Sequence, residues 1–237
     1  MTGRNACPTM DQRKRIAIYG GTFDPVHAAH LEIARRVSQL FAIDEFLFVP
    51  ARAAPHKLGR EVSSPLHRHA MLALATQADS RLFVSTFELD EPTRQYTVDT
   101  LTHFRAQSEA SADLFFVMGA DSWAEITSWR EWERLMTLAN LIVVTRPGVE
   151  FSVANVGDAV AKRVVDIRGQ TSGSAQLLVG PGSRKIFVTD VVAMDVSATQ
   201  IRQAARESRS EDLDRLVPLE VANYIRKYRL YRNKNEA

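Results

Sequence analysis

The sequence predicts an α/β protein in which helices cover both faces of a parallel sheet. Short runs of consecutive apolar residues, typical of strands buried on both faces, recur along the chain. Between them lie segments whose apolar residues repeat every three or four positions, which is typical of helices. Alternating strands and helices indicate βαβ units with parallel strands. The 237 residues are 45% hydrophobic and 24% charged, an ordinary globular composition.

The first strand is predicted at residues 16–19, an apolar run that ends in Gly20-Gly21, where the chain can turn tightly. Apolar side chains three and four positions apart then predict a helix over 31–41. A second apolar strand over 46–49 follows this helix. Together they form a first βαβ unit at the start of the chain.

A polar loop over 51–64 leads to Ser64-Pro65, a pair typical of a helix cap and first turn. The helix that follows extends to about residue 78. Further strands are predicted at 82–84, 114–118, 141–144 and 186–188, with helices at 98–104, after 197 and from about 218. Because ligands of parallel sheets bind beyond the carboxyl ends of the strands, Gly20-Gly21, Pro50, Gly119 and Arg146 are expected near one edge.

The chain is expected to form a single domain, residues 1–237. Residues 1–14 are predicted to be a flexible leader, and residues 150–184 an irregular insertion in which the regular pattern is lost. Within that insertion, 154–165 could form a helix, whereas 169–184 is rich in glycine and serine and is predicted to be a loop.

Charge and cysteine content exclude several classes of protein. The 30 Lys and Arg residues nearly balance the 28 Asp and Glu residues, so a dedicated nucleic-acid binder is not expected. No apolar run approaches the roughly 20 residues that span a membrane, and no secretory signal is expected. The one cysteine, Cys7, rules out an intramolecular disulfide and fits a reducing compartment, so the protein is expected in the cytoplasm.

Residues 20–30 contain the first cluster of residues suited to binding or catalysis. Two glycines permit close approach of the backbone to a ligand. Asp24-Pro25 resembles a helix start, whose free N–H groups attract phosphate. His27 and His30 are three residues apart, so on a helix they share a face and could donate hydrogen bonds to phosphoryl oxygens. Two histidines at a sheet edge or a metal pair are the alternatives, but cysteine and carboxylate partners at ligand spacing are missing.

The segment 196–202 contains the second cluster. Ser197 and Gln200 have the spacing of a capping box, and Thr199 and Arg202 would lie in the first turns of the same helix. A hydroxyl, backbone N–H groups and a guanidinium near one another suit phosphate oxygens. A capped helix with a solvated arginine is the equally acceptable structural alternative.

Both clusters resemble motifs of one family, the bacterial nicotinate-nucleotide adenylyltransferases. Residues 20–30 (GGTFDPVHAAH) resemble its GGTFDPxHxGH signature, and residues 196–202 (VSATQIR) its ISSTxIR motif. Further matches occur in order at Pro55-His56-Lys57, Arg68 with Met71, 96–101, 119–122, Trp129, Arg146-Pro147-Gly148, Val217-Pro218, Tyr224-Ile225 and Leu230-Tyr231.

The resemblance extends over about residues 14–231. The first motif alone indicates the wider nucleotidyltransferase superfamily, and the pieces at 96–101 and 119–123 narrow it to the nicotinate enzyme. Ala29, Ala198 and Gln95 depart from the family pattern. The resemblance implies a Rossmann-like nucleotidyltransferase fold with a small C-terminal helical part.

Members of this family transfer AMP from ATP to nicotinate mononucleotide in NAD biosynthesis, giving deamido-NAD and pyrophosphate. The resemblance implies in-line attack without a covalent enzyme intermediate, and Mg²⁺ bound through ATP phosphates rather than by protein ligands. It assigns catalysis to His27, His30 and Arg202. It assigns ATP binding to Gly20, Gly21, Thr22, Phe23, Lys57, Gly119, Asp121, Ser197, Thr199 and Arg202, and nicotinate mononucleotide binding to Tyr96, Thr97 and Trp129.

Several of these residues also have purely structural interpretations. Asp121 could cap a helix beginning at Ser122, and Lys57 could be a solvated loop charge. Either of the neighbouring tryptophans, Trp123 and Trp132, could take the stacking role instead of Trp129, since any of the three could belong to the core. The basic tail with its two tyrosines, 226–237, is expected to be a terminal helix and its solvated end.

Alternative functions remain open at this stage. A pantetheine-phosphate adenylyltransferase or a cytidylyltransferase would share the first motif. A dinucleotide-binding oxidoreductase is disfavoured because the first turn lacks G-x-G-x-x-G. A nucleotide sensor would bind ATP without releasing pyrophosphate. The sequence does not predict an oligomeric state.

Overall fold

The structure is a computed structural model that describes residues 13–52, 62–91, 93, 95–146, 148, 150–170, 175–180, 182, 184–192, 194 and 196–232. Lys57, Cys7 and residues 1–12 of the predicted leader lie outside these ranges. No helix in the described ranges is long and apolar enough to cross a membrane.

A seven-stranded sheet forms the centre of the protein, and all of its strand pairs are parallel. The strands are β1 (Arg15–Gly21), β2 (Glu45–Pro50), β3 (Leu82–Val84), β4 (Asp113–Gly119), β5 (Asn140–Val144), β6 (Val164–Asp166) and β7 (Ile186–Thr189). Their order across the sheet is β3-β2-β1-β4-β5-β7-β6. This confirms the predicted Rossmann-like parallel sheet, and the crevice between β1 and β4 lies where the strand order reverses.

Helices connect these strands and complete the fold. They are α1 (Ala28–Phe41), α2 (Pro65–Thr76), α3 (Phe87–Asp90), α4 (Thr97–Gln107), α5 (Ala120–Ala124), α6 (Trp132–Leu138), α7 (Asp158–Ala161), α8 (Ala198–Arg206), α9 (Ser210–Leu216) and α10 (Leu219–Lys227). Ser64 precedes α2 with Pro65 in the first turn, as predicted. The helices expected after 197 and near 218 are α8 and α10, and α9 between them was not predicted.

Both faces of the sheet are buried, as the continuous apolar strands indicate. On β4, Phe115 and Val117 pack into one core with residues of α1, α2 and the C-terminal helices. Leu114, Phe116 and Met118 pack on the opposite face with residues of α4, α5 and α6. Alternate residues of one strand therefore point into two cores. Because both faces are covered by apolar residues, polar side chains gather at the carboxyl edge of the sheet.

The prediction that a helix starts at Asp24-Pro25 is wrong. Helix α1 begins at Ala28, with His27 as its N-cap residue. The Asp24 carboxylate is buried and accepts hydrogen bonds from the Ser63 backbone N–H (3.2 Å) and the Tyr231 hydroxyl (2.8 Å), so it does not cap a helix. The phosphate-attracting helix end is therefore three residues later than expected.

Residues 150–184 contain more regular structure than an irregular insertion would. Instead of one helix over 154–165, the chain forms the single turn α7 and then strand β6, which pairs with β7 at the edge of the sheet. The continuity of the sheet through β6 supports the single-domain organisation, which stays a prediction.

The turn after β1 generates a stability prediction. A Cβ atom added to Gly21 would lie 2.9 Å from Cζ of the buried Phe23 ring, closer than real contacts allow. We expect Gly21→Ala to lower the free energy of unfolding by about 1–3 kcal/mol, because the ring must move within a packed core. Chemical denaturation measures this difference.

Gly20→Ala is the matched control, since its added Cβ would meet Phe116 at an ordinary 3.5 Å. We expect this neighbour to lose much less stability than Gly21→Ala. Equal losses for the two variants would contradict the close-approach explanation.

Candidate active site

A cavity of about 290 Å³ opens at the carboxyl edge of the sheet, above β1, β4 and β5. It brings together predicted residues from four separate parts of the chain. Those that line it are Gly20, Gly21, Phe23, His27, His30, Gly119, Asp121, Trp129 and Ser197. The sequence-based expectation of one shared edge therefore agrees with the position of the cavity.

The two histidines form a stacked pair at the start of α1. Their ring centroids are 3.7 Å apart, with 26° between the planes. The His27 backbone N–H donates to Nδ1 of His30 over 3.3 Å. Because Nδ1 of His30 acts as the acceptor, its ring carries the proton on Nε2 when neutral. Edge contacts from Tyr19 and Phe23 to the His30 ring hold this arrangement.

His27 is buried, and its environment favours the neutral imidazole. Burial, reinforced by the positive charge of Arg146, lowers its pKa from 6.5 to about 4. Its Nδ1 atom is buried without a hydrogen-bond partner among the described residues. These surroundings therefore favour an uncharged His27 near neutral pH.

Arg146, two residues after β5, lies at the edge where the sequence placed it, although the sequence analysis gave it no role in the site. It lines the cavity and makes an ion pair and hydrogen bond with Asp121 on α5. Asp121 is the second residue of α5, whose cap is Gly119, so it does not cap this helix. Its position just beyond a buried parallel strand indicated the edge, but no sequence signal indicated its pairing with Asp121.

Trp129 is the one of the three neighbouring tryptophans that lines the cavity. Its ring makes an edge contact with Phe116, with centroids 6.3 Å apart. Trp123 is almost fully buried, stacks on Phe151 and donates its indole N–H to a backbone carbonyl. Trp132 packs at the margin of the core. The geometry thus favours Trp129 over its neighbours as a ring exposed to a ligand.

Tyr96 and Thr97 lie at the N-terminus of α4 and do not line the cavity. The Tyr96 N–H donates to the Asp99 carboxylate over 3.0 Å. Since the first N–H groups of a helix have no partner within it, Thr97 rather than Tyr96 offers a donor here. The Arg130 guanidinium lies over the Tyr96 ring, 4.9 Å from its centroid, and adds positive charge.

The predicted capping box of α8 is present. The Ser197 N–H donates to Oε1 of Gln200 (2.8 Å), and the Gln200 N–H donates to Oγ of Ser197 (3.3 Å). Arg202 and Thr199 do not line the cavity. Instead, one Arg202 nitrogen donates to the Asp24 carbonyl (2.7 Å) and another to Oγ1 of Thr199 (3.2 Å). The guanidinium is therefore held against the β1–α1 turn. The sequence of α8 alone does not predict this contact.

Arg68 on α2 also binds the β1–α1 turn. Its side chain is 1% exposed and donates to the carbonyls of Thr22 (2.7 Å), Ala51 (2.7 Å) and Ser63 (3.1 Å). Thr22, predicted to bind ATP, thus has its carbonyl occupied by Arg68. Burial lowers the pKa of Arg68, whereas the nearby Asp24 charge opposes that shift.

The C-terminal tail is not simply solvated, contrary to expectation. The Tyr231 side chain packs against the first core, and its hydroxyl reaches Asp24 across 207 positions of sequence. No local sequence signal indicates such a contact. Among the described residues, there is no cluster of three or more His, Cys, Asp or Glu side chains placed to hold a metal ion.

Comparisons with known proteins agree with this geometry. Residues 18–204 match the cytidylyltransferase-like family. A relative from Chromobacterium violaceum, named as a nicotinate-nucleotide adenylyltransferase, is 39% identical over 92% of this chain and 99% of its own length. This chain belongs to the nicotinate-nucleotide adenylyltransferase family. Another member, from Thermoanaerobacter, is 34% identical over 96% of this chain and 99% of its own length.

Solved structures of adenylyltransferases share the fold. The nicotinic acid mononucleotide adenylyltransferase of Plasmodium falciparum, complexed with NaAD, superposes with a TM-score of 0.68. It is 21% identical to this chain, with 92% of this chain and 98% of that protein covered. A second structure of the same enzyme, complexed with APC, has a TM-score of 0.67.

The depressed pKa of His27 generates a pH prediction. Between pH 6.5 and about 4, an unfolded chain binds a proton at His27 that the folded protein does not. The free energy of unfolding should therefore fall as the pH decreases through this window, with a slope of up to about 1.4 kcal/mol per pH unit from this residue. His27→Gln should remove that part of the slope in denaturation measured from pH 7 to 4. An unchanged slope in the variant would assign the acid sensitivity to other groups.

Proposed function

We propose that this adenylyltransferase transfers AMP from ATP to nicotinate mononucleotide, forming deamido-NAD and releasing pyrophosphate. The observation that carries the proposal is a single cavity with three features. It is lined by the histidine pair at the start of α1, by the Asp121 carboxylate, which can accept hydrogen bonds from ribose, and by the accessible ring of Trp129. The family membership of the chain supports the same reaction.

The chemistry requires positioning rather than a protein nucleophile. A phosphate oxygen of nicotinate mononucleotide attacks the α-phosphorus of ATP, and the bond from that phosphorus to the bridging β-oxygen breaks. Both electrons of that bond leave with pyrophosphate. The protein contributes by aligning the two phosphates and by stabilising charge on the oxygens of the transition state.

The histidine pair suits the α-phosphate and the bridging oxygen. In the proposed complex, Nε2–H of His30 donates to a phosphoryl oxygen, since Nδ1 is already engaged by the His27 backbone. His27 begins as a neutral imidazole beside it. The negative charge of bound ATP favours the protonated ring, so the lowered pKa should rise when the nucleotide binds.

The start of α8 suits the β- and γ-phosphates. Ser197 and Ala198 line the cavity, so α8 begins at its edge, and the first N–H groups of a helix attract phosphate. We assign the β- and γ-phosphates to Thr199 and Arg202, whose side chains are joined by a hydrogen bond. Lys57 stays a prediction, because it lies outside the described residues.

Asp121 and Gly119 suit the adenosine part of ATP. A carboxylate accepts hydrogen bonds from both ribose hydroxyls, and Gly119 places only backbone next to the sugar. Asp121 is paired with Arg146. Ribose binding therefore has to share or replace that ion pair, which would leave Arg146 available to a phosphate at the edge of the cavity.

The nicotinate ring suits the space between Trp129 and the start of α4. The indole would stack on the pyridine ring, and the N–H groups at Thr97 would meet the carboxylate. The charge of Arg130 over Tyr96 favours an anionic group in the same place. This arrangement explains how an acid and an amide could be distinguished.

We further propose that magnesium arrives with ATP. The donors on this chain fit that assignment, because imidazole nitrogens are poor Mg²⁺ ligands and the Asp121 carboxylate is already paired. When bound, the ion neutralises phosphate charge on ATP. A cytoplasmic location and the absence of nucleic-acid or membrane partners stay predictions.

The acceptor specificity tests the proposed function. Nicotinate and nicotinamide mononucleotides differ only in a carboxylate against an amide, and N–H donors suit a group that only accepts hydrogen bonds. We expect kcat/KM to favour the nicotinate form by several orders of magnitude, measured by pyrophosphate release with saturating ATP and magnesium. Equal use of both acceptors would refute this assignment.

Trp129→Ala is the companion variant. Stacking does not sense the carboxylate, so its loss should lower kcat/KM for both acceptors by a similar factor. Trp132→Ala, on a tryptophan that does not line the cavity, is the matched control. A Trp129→Ala enzyme that no longer distinguishes the acceptors would move the discriminating contacts to the Trp129 side of the ring.

Removal of a charge-stabilising histidine tests the mechanism. Loss of one such donor typically reduces the rate by about 100- to 1,000-fold. We expect His27→Ala to lower kcat by this factor while the Kd for ATP, measured by calorimetry, changes far less. Near-normal turnover by the variant would remove His27 from the catalytic machinery.

A further inference from the structure

We propose that Tyr231 is a positioning residue for the triphosphate site, acting through Asp24 on Arg202. This inference rests on the proposed function, because it takes Arg202 as a ligand of the β- and γ-phosphates. It assigns a role to Tyr231 in the C-terminal tail. The family resemblance includes Leu230-Tyr231 but gives this pair no role, and Tyr231 does not line the cavity.

Asp24 connects Tyr231 to Arg202. Its side chain is only 3% exposed, and its carboxylate accepts the Tyr231 hydroxyl on one oxygen (2.8 Å) and the Ser63 N–H on the other (3.2 Å). Its backbone carbonyl accepts one nitrogen of Arg202 (2.7 Å). One residue thus joins the tail to the arginine.

The Tyr231 hydroxyl remains a donor under all relevant conditions. Burial and the adjacent Asp24 charge raise the pKa of Tyr231. The phenol is therefore neutral at physiological pH and donates its proton to the carboxylate. A hydrogen bond to a charged acceptor away from water is among the stronger ones in proteins.

The backbone of the tail is shaped to make this contact. Arg229 and Tyr231 both have positive φ angles, 51° and 69°. Residues other than glycine adopt this conformation at an energetic cost, which surrounding contacts must offset. After α10 the Leu230 N–H donates to the Ile225 carbonyl, and the Tyr231 ring packs against the core while its hydroxyl contacts Asp24.

Movement of Asp24 would be transmitted to Arg202. The guanidinium has two anchors among the described residues, the Asp24 carbonyl and the Thr199 hydroxyl. Thr199 is exposed, so the buried carbonyl is the firmer of the two. Without the Tyr231 hydroxyl, one oxygen of a buried carboxylate lacks its donor, and the turn that carries the carbonyl is expected to relax.

The test compares binding of ATP and AMP by calorimetry in the full-length protein with magnesium. We expect Tyr231→Phe to weaken ATP binding about tenfold, equivalent to about 1.4 kcal/mol, and to leave AMP binding within twofold. AMP lacks the phosphates that Arg202 would hold, so a general loss of folding would weaken both ligands. Unchanged ATP binding, or equal weakening for ATP and AMP, overturns the proposal.

Tyr228→Phe is the matched control, because it removes the same hydroxyl from an exposed tyrosine three residues earlier in the same tail. The two carboxylate oxygens of Asp24 accept hydrogen bonds from Ser63 and Tyr231, and not from Tyr228, within the part of the chain that the structure describes. Both nucleotides should bind to Tyr228→Phe as to the wild type. A tenfold ATP effect in this control as well would overturn the specific role of Tyr231.

Combining Tyr231→Phe with Arg202→Ala shows whether Tyr231 affects ATP binding through Arg202 or independently of it. We expect Arg202→Ala itself to weaken ATP but not AMP, and Tyr231→Phe to add less than twofold in that background. A further tenfold loss overturns the path through Arg202, as does an Arg202→Ala variant that binds ATP normally. These measurements use no acceptor, so a wild type that fails to use nicotinate mononucleotide would refute the proposed reaction without deciding this inference.

Discussion

The buried guanidinium of Arg68 is the interaction on which the geometry of the site depends. A charge away from water is tolerated only when hydrogen bonds and an opposite charge compensate for its lost hydration. Arg68 finds carbonyl acceptors on the loops after β1, after β2 and before α2, with the Asp24 carboxylate nearby. These loops, including the β1–α1 turn, are consequently held in one arrangement.

The catalytic geometry follows from that fixed turn. The chain passes Asp24 and reaches His27 as the cap of α1, so the histidine pair stands at the edge of the cavity. The same turn offers its carbonyl to Arg202 from α8 and its carboxylate to Tyr231. Elements from both ends of the chain therefore meet at one short segment, while Asp121 and Trp129, from the part of the chain after β4, complete the cavity.

Sequence reasoning succeeded where local physics decides the structure. Apolar runs located six of the strands, because a strand buried on both faces has to be apolar throughout. The Ser197–Gln200 capping box formed as expected, since its partners are three residues apart. Reasoning failed for Asp24, which resembles a cap but bonds to distant groups, and for the short β6 and α9, whose few residues have no distinct periodicity.

The sequence by itself determined the parallel α/β sheet, the edge at which the motifs gather and the family, because each depends on patterns within a few neighbouring residues. Only the tertiary structure decided that Arg146 pairs with Asp121, that Trp129 and not Trp123 faces the cavity, and that Tyr231 is tied to Asp24. The physical reason is that burial and pairing depend on which distant segments share a space. The pattern of side chains along one segment does not specify which distant segment will pack against it.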